Sequence, residues 1–368
     1  MKTIQRHNYM LSSLIIISFF IANTGCTKMS DAVATNDQNA SDAQAAGLSL
    51  SGFLQVNLNA NTSGYHAFRI NSNLHNAWGM AVSDGGGIWV SAADGGVSYV
   101  FDDRGKQLIP PVAIPSHIPG APGNPTGQVY NRTTDFVIPG TGNPAKFIFA
   151  SEDGTISGWN GGSSAMLVAN HSSQGAKYTG IAIANDDGYN FLYVANFTQH
   201  RVDVFDKDYK RVFGRPFKDA NIPSNYAPFN VYEIDNMLYV TYAIVTDEGE
   251  DSTGAHLGYV DVYWPNGTLS KRFASKGPLN APWGITEGQP ELIGKEEILI
   301  GNFGDGHISV YDEDGNFKGQ LMNAGGGPVA IEGLWALDNE VVGTSPHQLY
   351  FTAGPEDEED GLFGFLTK

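Results

Sequence analysis

The sequence repeats one pattern six times, at a spacing of about 50 residues. Each repeat begins with a short segment of small and apolar residues: AWGMAV (77–82), PTGQVY (125–130), YTGIAI (178–183), PFNVYE (228–233), PWGITE (282–287) and GLWALD (333–338). An apolar strand, a turn and a second strand ending in an aromatic residue follow, as in residues 193–206 and 299–312. Repeats of this length, made of short alternating strands, are typical of β-propeller blades. The sequence therefore predicts an all-β, six-bladed β-propeller.

The last repeat supplies only three strands, the third of which ends near Leu366. A blade without its fourth strand would leave an open sheet edge, which favours aggregation. Residues 53–59 (FLQVNLN) alternate apolar and polar side chains and precede the first repeat. We expect this N-terminal strand to close the ring as the fourth strand of the last blade.

The first 26 residues have the pattern of an export signal. Lys2 and Arg6 precede an apolar run over residues 11–22, which is shorter than the roughly 20 residues that span a bilayer. Small residues lead into Cys26, the only cysteine of the chain, as in a bacterial lipoprotein signal. An ordinary secretory peptide with an incidental cysteine is the alternative. The pattern predicts an exported protein, lipid-anchored through Cys26 in a bacterial cell envelope.

Three segments follow from this organisation. Residues 1–26 are the predicted lipoprotein signal peptide with its lipidated cysteine. Residues 27–47 carry almost no large apolar side chain, so they cannot form a core and are predicted to be a flexible tether. Residues 48–368 are the predicted propeller.

The chain is acidic, with a formal net charge of −18. Nucleic acid and anionic lipid headgroups would repel such a protein, so we expect no nucleic-acid partner and membrane attachment through the lipid anchor alone. An unidentified protein or small-molecule ligand remains as the partner of a predicted monomer. Two acidic runs, 246–251 (TDEGED) and 356–360 (EDEED), each interrupt the join between a second and a third strand. Both should therefore lie on one face of the ring and make it negative.

The blade pattern in residues 182–206 and 282–312 resembles NHL-type six-bladed propellers. The segments NLHNAWGMA, FIFASEDGTISGWN, FLYVANF, IGNFGDG and LYFTAGP more closely resemble an uncharacterised family of exported bacterial propellers. The likeness extends from about residue 53 to residue 368. It implies a fold and brings no established activity.

In propellers of this kind, the loops that enter the innermost strands and those that join second to third strands open on one face, here called the mouth. Mapping the repeat onto that arrangement predicts a ligand-binding face of aromatic and amide side chains: Asn76, Trp78, Tyr178, Tyr226, Phe229, Asn230, Tyr242, Trp283 and Trp335. Packing is the alternative for these residues, because tryptophan at a strand start often contacts the next blade and asparagine often bonds local backbone.

Related propeller lactonases hold a divalent cation on the axis with glutamate and asparagine or aspartate side chains. That resemblance implies a calcium or other divalent-cation site formed by Glu152, Asn196, Asn230 and Asn302. One formal charge among four ligands would make it a weak site. The Asp-x-Asp-Gly run at 312–315 has its glycine at position four, where a calcium-binding EF-hand loop has it at position six. We interpret that run as a hairpin turn.

The sequence contains no Ser-His-Asp order, HExxH, Walker loop or dinucleotide fingerprint. Two functional hypotheses follow. The first is a cell-envelope lipoprotein whose propeller binds a ligand or partner without catalysis. The alternative is a metal-dependent hydrolase or lyase, of the lactonase-like propeller type, that acts at the mouth of the axial channel.

Overall fold

The computed structural model describes residues 47–368, and strands make up nearly all of their regular structure. The predicted signal peptide, Cys26 and the tether up to residue 46 lie outside the described residues. Two 3-10 turns (Ser63–Tyr65 and Ser172–Gln174) and one short helix, α1 (Pro290–Ile293), interrupt the strands. No helix within residues 47–368 is long and apolar enough to cross a membrane.

Strands β1 (Leu54–Ala60) and β2 (Arg69–Ile70) precede the first blade. The first blade comprises β3 (Ala77–Val82), β4 (Ile88–Ala92), β5 (Val97–Phe101) and β6 (Gln107–Ala113). The second comprises β7 (Pro125–Tyr130), β8 (Phe147–Ser151), β9 (Thr155–Trp159) and β10 (Met166–Asn170). The third comprises β11 (Tyr178–Asp186), β12 (Tyr189–Asn196), β13 (Arg201–Phe205) and β14 (Arg211–Val212).

The fourth blade comprises β15 (Tyr226–Ile234), β16 (Met237–Val245), the short β17 (Asp251–Ser252), β18 (Tyr259–Tyr263) and β19 (Leu269–Ser275). The fifth comprises β20 (Pro282–Gly288), β21 (Glu297–Asn302), β22 (Ile308–Tyr311) and β23 (Phe317–Gln320). The sixth comprises β24 (Leu334–Asp338), β25 (Leu349–Ala353) and β26 (Leu362–Thr367). These six sheets, antiparallel except where β2 pairs in parallel with β1, form the ring of a six-bladed β-propeller, as the repeat predicted.

The N-terminal strand closes the ring. Strand β1 pairs antiparallel with β26, from Leu54 opposite Thr367 to Ala60 opposite Leu362. The sixth sheet therefore has the order β2-β1-β26-β25-β24, in which the first and last strands of the propeller are neighbours. This confirms the predicted closure. The edge of β26, which would otherwise be open to pairing with another chain, is covered.

Glycines in the innermost strands let neighbouring blades approach closely. A Cβ added at Gly79 of β3 would lie 2.3 Å from the backbone oxygen of Thr126 in β7. A Cβ added at Gly127 of β7 would lie 2.8 Å from Cα of Gly180 in β11. The backbones of adjacent innermost strands thus contact each other, which explains the small residues that open each repeat.

The run 312–315 is a structural turn between β22 and β23. The Asp312 carboxylate accepts bonds from the backbone N–H of Asn316 at 2.8 Å and from Nδ2 of Asn316 at 2.9 Å, and it pairs with Lys318 at 2.6 Å. Although partial burial acts in the opposite direction, these contacts lower the pKa of Asp312 to about 2. All of its partners belong to the same hairpin, so the turn interpretation holds.

Candidate functional site

Aromatic side chains from four blades fill the axis at the mouth. Trp335 stacks on Trp78, with ring centroids 3.8 Å apart, and on Phe303 at 4.1 Å. Trp283 meets Trp335 edge-on at 5.8 Å, and Phe229 lies 5.7 Å from the same ring. These five residues are called the tryptophan cluster. Since they come from the first, fourth, fifth and sixth blades and still touch, they close the channel at this end.

Hydrogen bonds fix two of the three indoles. Trp335 Nε1 donates to Oδ1 of Asn76 at 2.8 Å, and Trp283 Nε1 donates to the backbone oxygen of Thr179 at 3.0 Å. The indole nitrogen of Trp78 is buried and has no hydrogen-bond partner within residues 47–368. The three rings are 5% exposed or less. The three tryptophans are therefore packed in the interior, as the alternative interpretation expected. Asn76 is the polar residue that links Trp335 to Glu358 nearer the surface.

The three predicted tyrosines lie between sheets and away from the axis. The Tyr178 hydroxyl donates to Oδ2 of Asp203 at 3.2 Å. The Tyr242 hydroxyl lies 2.8 Å from that of Tyr263, and burial raises the pKa of Tyr242 well above its usual value. Tyr226 meets Tyr259 edge-on at 4.8 Å. All three are buried. Of the predicted face, the structure therefore gathers Asn76, the three tryptophans and Phe229 at the mouth.

The amides predicted as metal ligands are bonded to other groups of the protein. Asn230 donates through Nδ2 to the backbone oxygen of Trp283 at 2.9 Å, while its Oδ1 accepts from the Val231 N–H at 2.8 Å. Asn302 Oδ1 accepts from the Asn280 N–H at 3.1 Å. Asn196 donates to Oδ2 of Asp203 at 2.7 Å. Of these three amides, only Asn196 has a buried oxygen without a partner in the described part of the chain.

Glu152, the fourth predicted ligand, already holds a cation from the protein itself. Its Oε1 lies 3.1 Å from Nζ of Lys177, which also pairs with Glu250. Across residues 47–368, no group of three or more His, Cys, Asp or Glu side chains is arranged to hold a metal ion. Because Asn230, Asn302 and Glu152 already have partners within the protein, a cation would have to displace those contacts, and the implied site remains a prediction.

The mouth carries further carboxylates from the two acidic runs. Glu358 Oε2 accepts a hydrogen bond from Nδ2 of Asn76 at 2.6 Å. Burial, reinforced by Asp251 and Glu152, raises the pKa of Glu358 to about 7. Burial likewise raises the pKa of Asp251 to about 6, against the nearby positive charge of Lys177. Glu152, Asp251 and Glu358, called here the mouth carboxylates, thus come from three blades and influence one another.

Backbone strain marks the segment that carries Glu358. Glu356, Asp357 and Glu358 have φ values of 55°, 53° and 70°, a left-handed conformation that is unfavourable for residues other than glycine. Asp360 anchors this turn, because its carboxylate accepts from Asn61 at 2.6 Å and from the Tyr65 hydroxyl at 2.7 Å. The runs were identified in the sequence only as a charged surface. No sequence pattern indicated the strained backbone of this turn or the contact of Glu358 with Asn76.

A cavity of about 320 Å³ occupies the axis beyond the tryptophan cluster. All six innermost strands line it. Its walls combine polar groups, among them Gln128, Thr133 and Asn230, with aliphatic side chains: Met80, Ala81, Val82, Val129, Ile181, Ala182, Ile183, Val231, Ile285, Ala336 and Leu337. Trp283 belongs both to this lining and to the tryptophan cluster, which is thus the floor of the cavity. Glu233, Asp338, Glu340 and Arg132 lie at its outer rim. Sequence reasoning missed this site because it considered only the mouth.

No family model matches the chain. It is 32% identical over 311 residues to the uncharacterized protein R648 of Acanthamoeba polyphaga mimivirus, a match covering 80% of this chain and 76% of R648. It is 33% identical over 315 residues to the uncharacterized protein L690 of the same virus, covering 80% and 81% of the two chains. Both relatives are viral, so they give the expected bacterial origin no support.

Solved structures support the fold. A streptogramin B lyase superposes with a TM-score of 0.51 at 12% identity, over 86% of this chain and 97% of the lyase. A protein of unknown function from Bacteroides thetaiotaomicron superposes with a TM-score of 0.53 at 12% identity, over 85% of this chain and 76% of that protein. At such low identity these similarities concern the propeller fold alone.

Proposed function

The chain belongs to the same family as the uncharacterized mimivirus proteins R648 and L690, and we propose that it is a binding propeller whose mouth recognises a cationic group on a ligand or partner, without catalysis. The observation that carries this proposal is the group of mouth carboxylates. Glu152, Asp251 and Glu358 reach one surface from three blades, above the closed tryptophan cluster.

The chemistry of this surface favours a positively charged group. Burial raises the pKa values of all three carboxyl groups, and neighbouring carboxylates raise them further: Glu250 acts on Glu152, and Glu152 acts on Asp251 and Glu358. A cation arriving among these groups would relieve the repulsion. Lys177 shows the geometry that such a group can adopt, because its ammonium lies between Glu152 and Glu250. Lys177 alone does not neutralise the three mouth carboxylates and Glu250, so the surface remains negative.

A metal-dependent hydrolase or lyase at the mouth is the second candidate. The pKa of Glu358, about 7, lies in the range that suits a general acid or base. A divalent cation would have to replace the Lys177 ammonium at Glu152, and within residues 47–368 the mouth carboxylates are not arranged as a ready three-ligand site for it. The partners of Asn230 and Asn302 make the binding role the better-supported one.

Export and lipid attachment are part of the proposal. The arrangement of Lys2, Arg6, the apolar run and Cys26 supports an exported chain held at a membrane by its lipid, with residues 27–47 as tether and the propeller acting as a monomer. Membrane fractionation tests this. A Cys26→Ser chain should leave the membrane fraction and keep its melting temperature.

Calorimetric titration with tetralysine tests the binding function. A Glu152→Gln, Asp251→Asn, Glu358→Gln variant should bind this probe at least tenfold more weakly than the unchanged chain. The matched control, with Asp187→Asn, Asp208→Asn and Glu313→Gln at exposed outer positions, loses the same charge and should bind as before. Equal weakening in both variants would show that net charge alone attracts the probe, and the mouth would have no special role.

A further inference from the structure

We propose a second binding site, independent of the mouth: the axial cavity takes a small organic cation with an apolar body, whose charged end lies among the carboxylates of the rim. The two ends of the channel are separated by the tryptophan cluster. A molecule in the cavity therefore does not reach the mouth carboxylates.

The size and walls of the cavity set the body of the ligand. Its volume of about 320 Å³ lies at the lower end of the range of small-molecule pockets, roughly 300–1,000 Å³. Met80, Val129 and Ile183 are half-buried on the wall and leave apolar surface for a ligand to cover. The walls are innermost strands that contact one another through their backbones, so the cavity is preformed and a ligand does not have to order it.

The rim sets the charge of the ligand. Glu233, Asp338 and Glu340 line the cavity at its outer end, and Arg132 is the one basic side chain in the same lining. The Nε of Arg132 donates to Oδ1 of Asp84 at 2.9 Å, and the positive charge of Arg132 also lowers the pKa values of Glu233 and Asp338 against the effect of burial. Three carboxylates nevertheless outnumber this one guanidinium. The rim keeps a negative charge, which attracts a cation and repels an anion.

The rim carboxylates have oxygens available for a ligand. Asp338 Oδ1 accepts from the backbone N–H of Glu340 at 2.7 Å, and no protein hydrogen bond to Oδ2 occurs within residues 47–368. Glu233 accepts from the backbone N–H of Asn236 through Oε1. A ligand ammonium donates up to three hydrogen bonds and can pair with the available oxygen of either residue.

The protonation behaviour of the rim agrees with this assignment. Burial, opposed by a hydrogen bond and reinforced by Glu340, raises the pKa of Asp338 to about 6. Burial also raises the pKa of Glu233 and, with help from Asp235, brings that of Glu287 to about 7. Groups facing this rim are thus partly protonated near neutral pH. A bound cation favours their ionised forms, so its affinity should rise with pH between about 5 and 8.

The test uses three probes with the same apolar body: 4-phenylbutylammonium, 4-phenylbutanol and 4-phenylbutyrate. Calorimetry on the whole chain should rank the ammonium first, the alcohol at least tenfold weaker and the carboxylate undetectable. Asp338→Asn combined with Glu233→Gln should remove the advantage of the ammonium over the alcohol. Asp208→Asn combined with Asp314→Asn makes the same charge change at exposed positions in turns between third and fourth strands, and it should keep the advantage.

Met80→Trp, which fills the wall, should weaken the ammonium and the alcohol alike, and its melting curve reports whether the variant still folds. Should that variant unfold, Val129→Phe fills the neighbouring part of the wall, on β7, and is used instead. Equal binding of ammonium and alcohol would overturn the assignment of a cation. Binding of no probe, or binding that the filled variants keep, would overturn the cavity site itself. Neither result affects the tetralysine experiment at the mouth.

Discussion

The two ends of the axial channel are built from the same six strands and differ in what those strands carry. At the mouth, Trp78, Trp283 and Trp335 stand near the start of three innermost strands and pack the axis shut. At the opposite end the strands carry aliphatic side chains that leave a cavity. Three large rings therefore decide which end of a propeller channel is accessible. Carboxylates at the mouth and at the cavity rim then make the surface negative at both ends.

Removing one aromatic ring from the tryptophan cluster should cause the largest loss of stability. Trp335→Ala deletes the residue that contacts every other member of the tryptophan cluster, so we expect a loss of about 3–5 kcal/mol in the free energy of unfolding. At the cavity end, Ile183→Ala changes a half-buried wall and should cost about 1 kcal/mol. Urea unfolding measures both. Equal losses would mean that the mouth is no better packed than the cavity.

The amide that links the cluster to the acidic loop should give a smaller effect. Asn76→Ala leaves the buried indole N–H of Trp335 without its acceptor and should cost about 1–3 kcal/mol. Asn76→Asp keeps an acceptor but places a negative charge beside Glu358, and it should raise the pKa of Glu358 further. Unfolding at pH 5 and pH 8 measures both variants. If Asn76→Ala is as stable as the parent, the link has no structural value.

Calcium should reveal how Lys177 restricts the mouth. Lys177→Met removes the ammonium that Glu152 holds, so a divalent cation no longer competes with it. At a free calcium concentration ten times its dissociation constant, the variant gains about 1.4 kcal/mol of stability. Adding Glu152→Gln should abolish the gain, whereas adding Asp312→Asn, in the outer turn, should leave it intact. A thermal scan that shows no response in Lys177→Met would exclude the mouth as a latent cation site.

The last effect depends on pH. The pKa of Glu358 in the folded chain, about 7, is above the ordinary value of 4.5, so the folded state binds this proton more tightly than the unfolded state. The resulting stability is fully present below about pH 4.5 and is lost as the pH rises through 7. Glu358→Gln should flatten this part of the stability curve. The matched change Glu359→Gln, at an exposed neighbour with the same charge, should not.

Much of this architecture could be predicted from the sequence. The six segments that open the repeats, five of which contain glycine, predicted every innermost strand, and the alternation of FLQVNLN predicted the strand that closes the ring. The site was harder, because propeller loops bring together residues far apart in the chain. Asn76 and Glu358 are hydrogen-bonded across 282 positions, and no local pattern announces such a contact. Residue type alone also did not show that Tyr178 and Tyr242 face neighbouring sheets, whereas Trp78 and Trp335 face the axis.

The accessibility of a single thiol at each end tests the account most directly. In a Cys26→Ser chain, which has no other cysteine, Ile183→Cys places a thiol on the cavity wall. Ala227→Cys places one among the buried residues that pack with the tryptophan cluster. The account predicts that a small disulfide reagent modifies the first thiol at least a hundredfold faster than the second in the folded protein, and that the rates become equal in urea. Comparable rates in the folded state, or a faster reaction at position 227, would contradict a channel closed at the mouth and open at the other end.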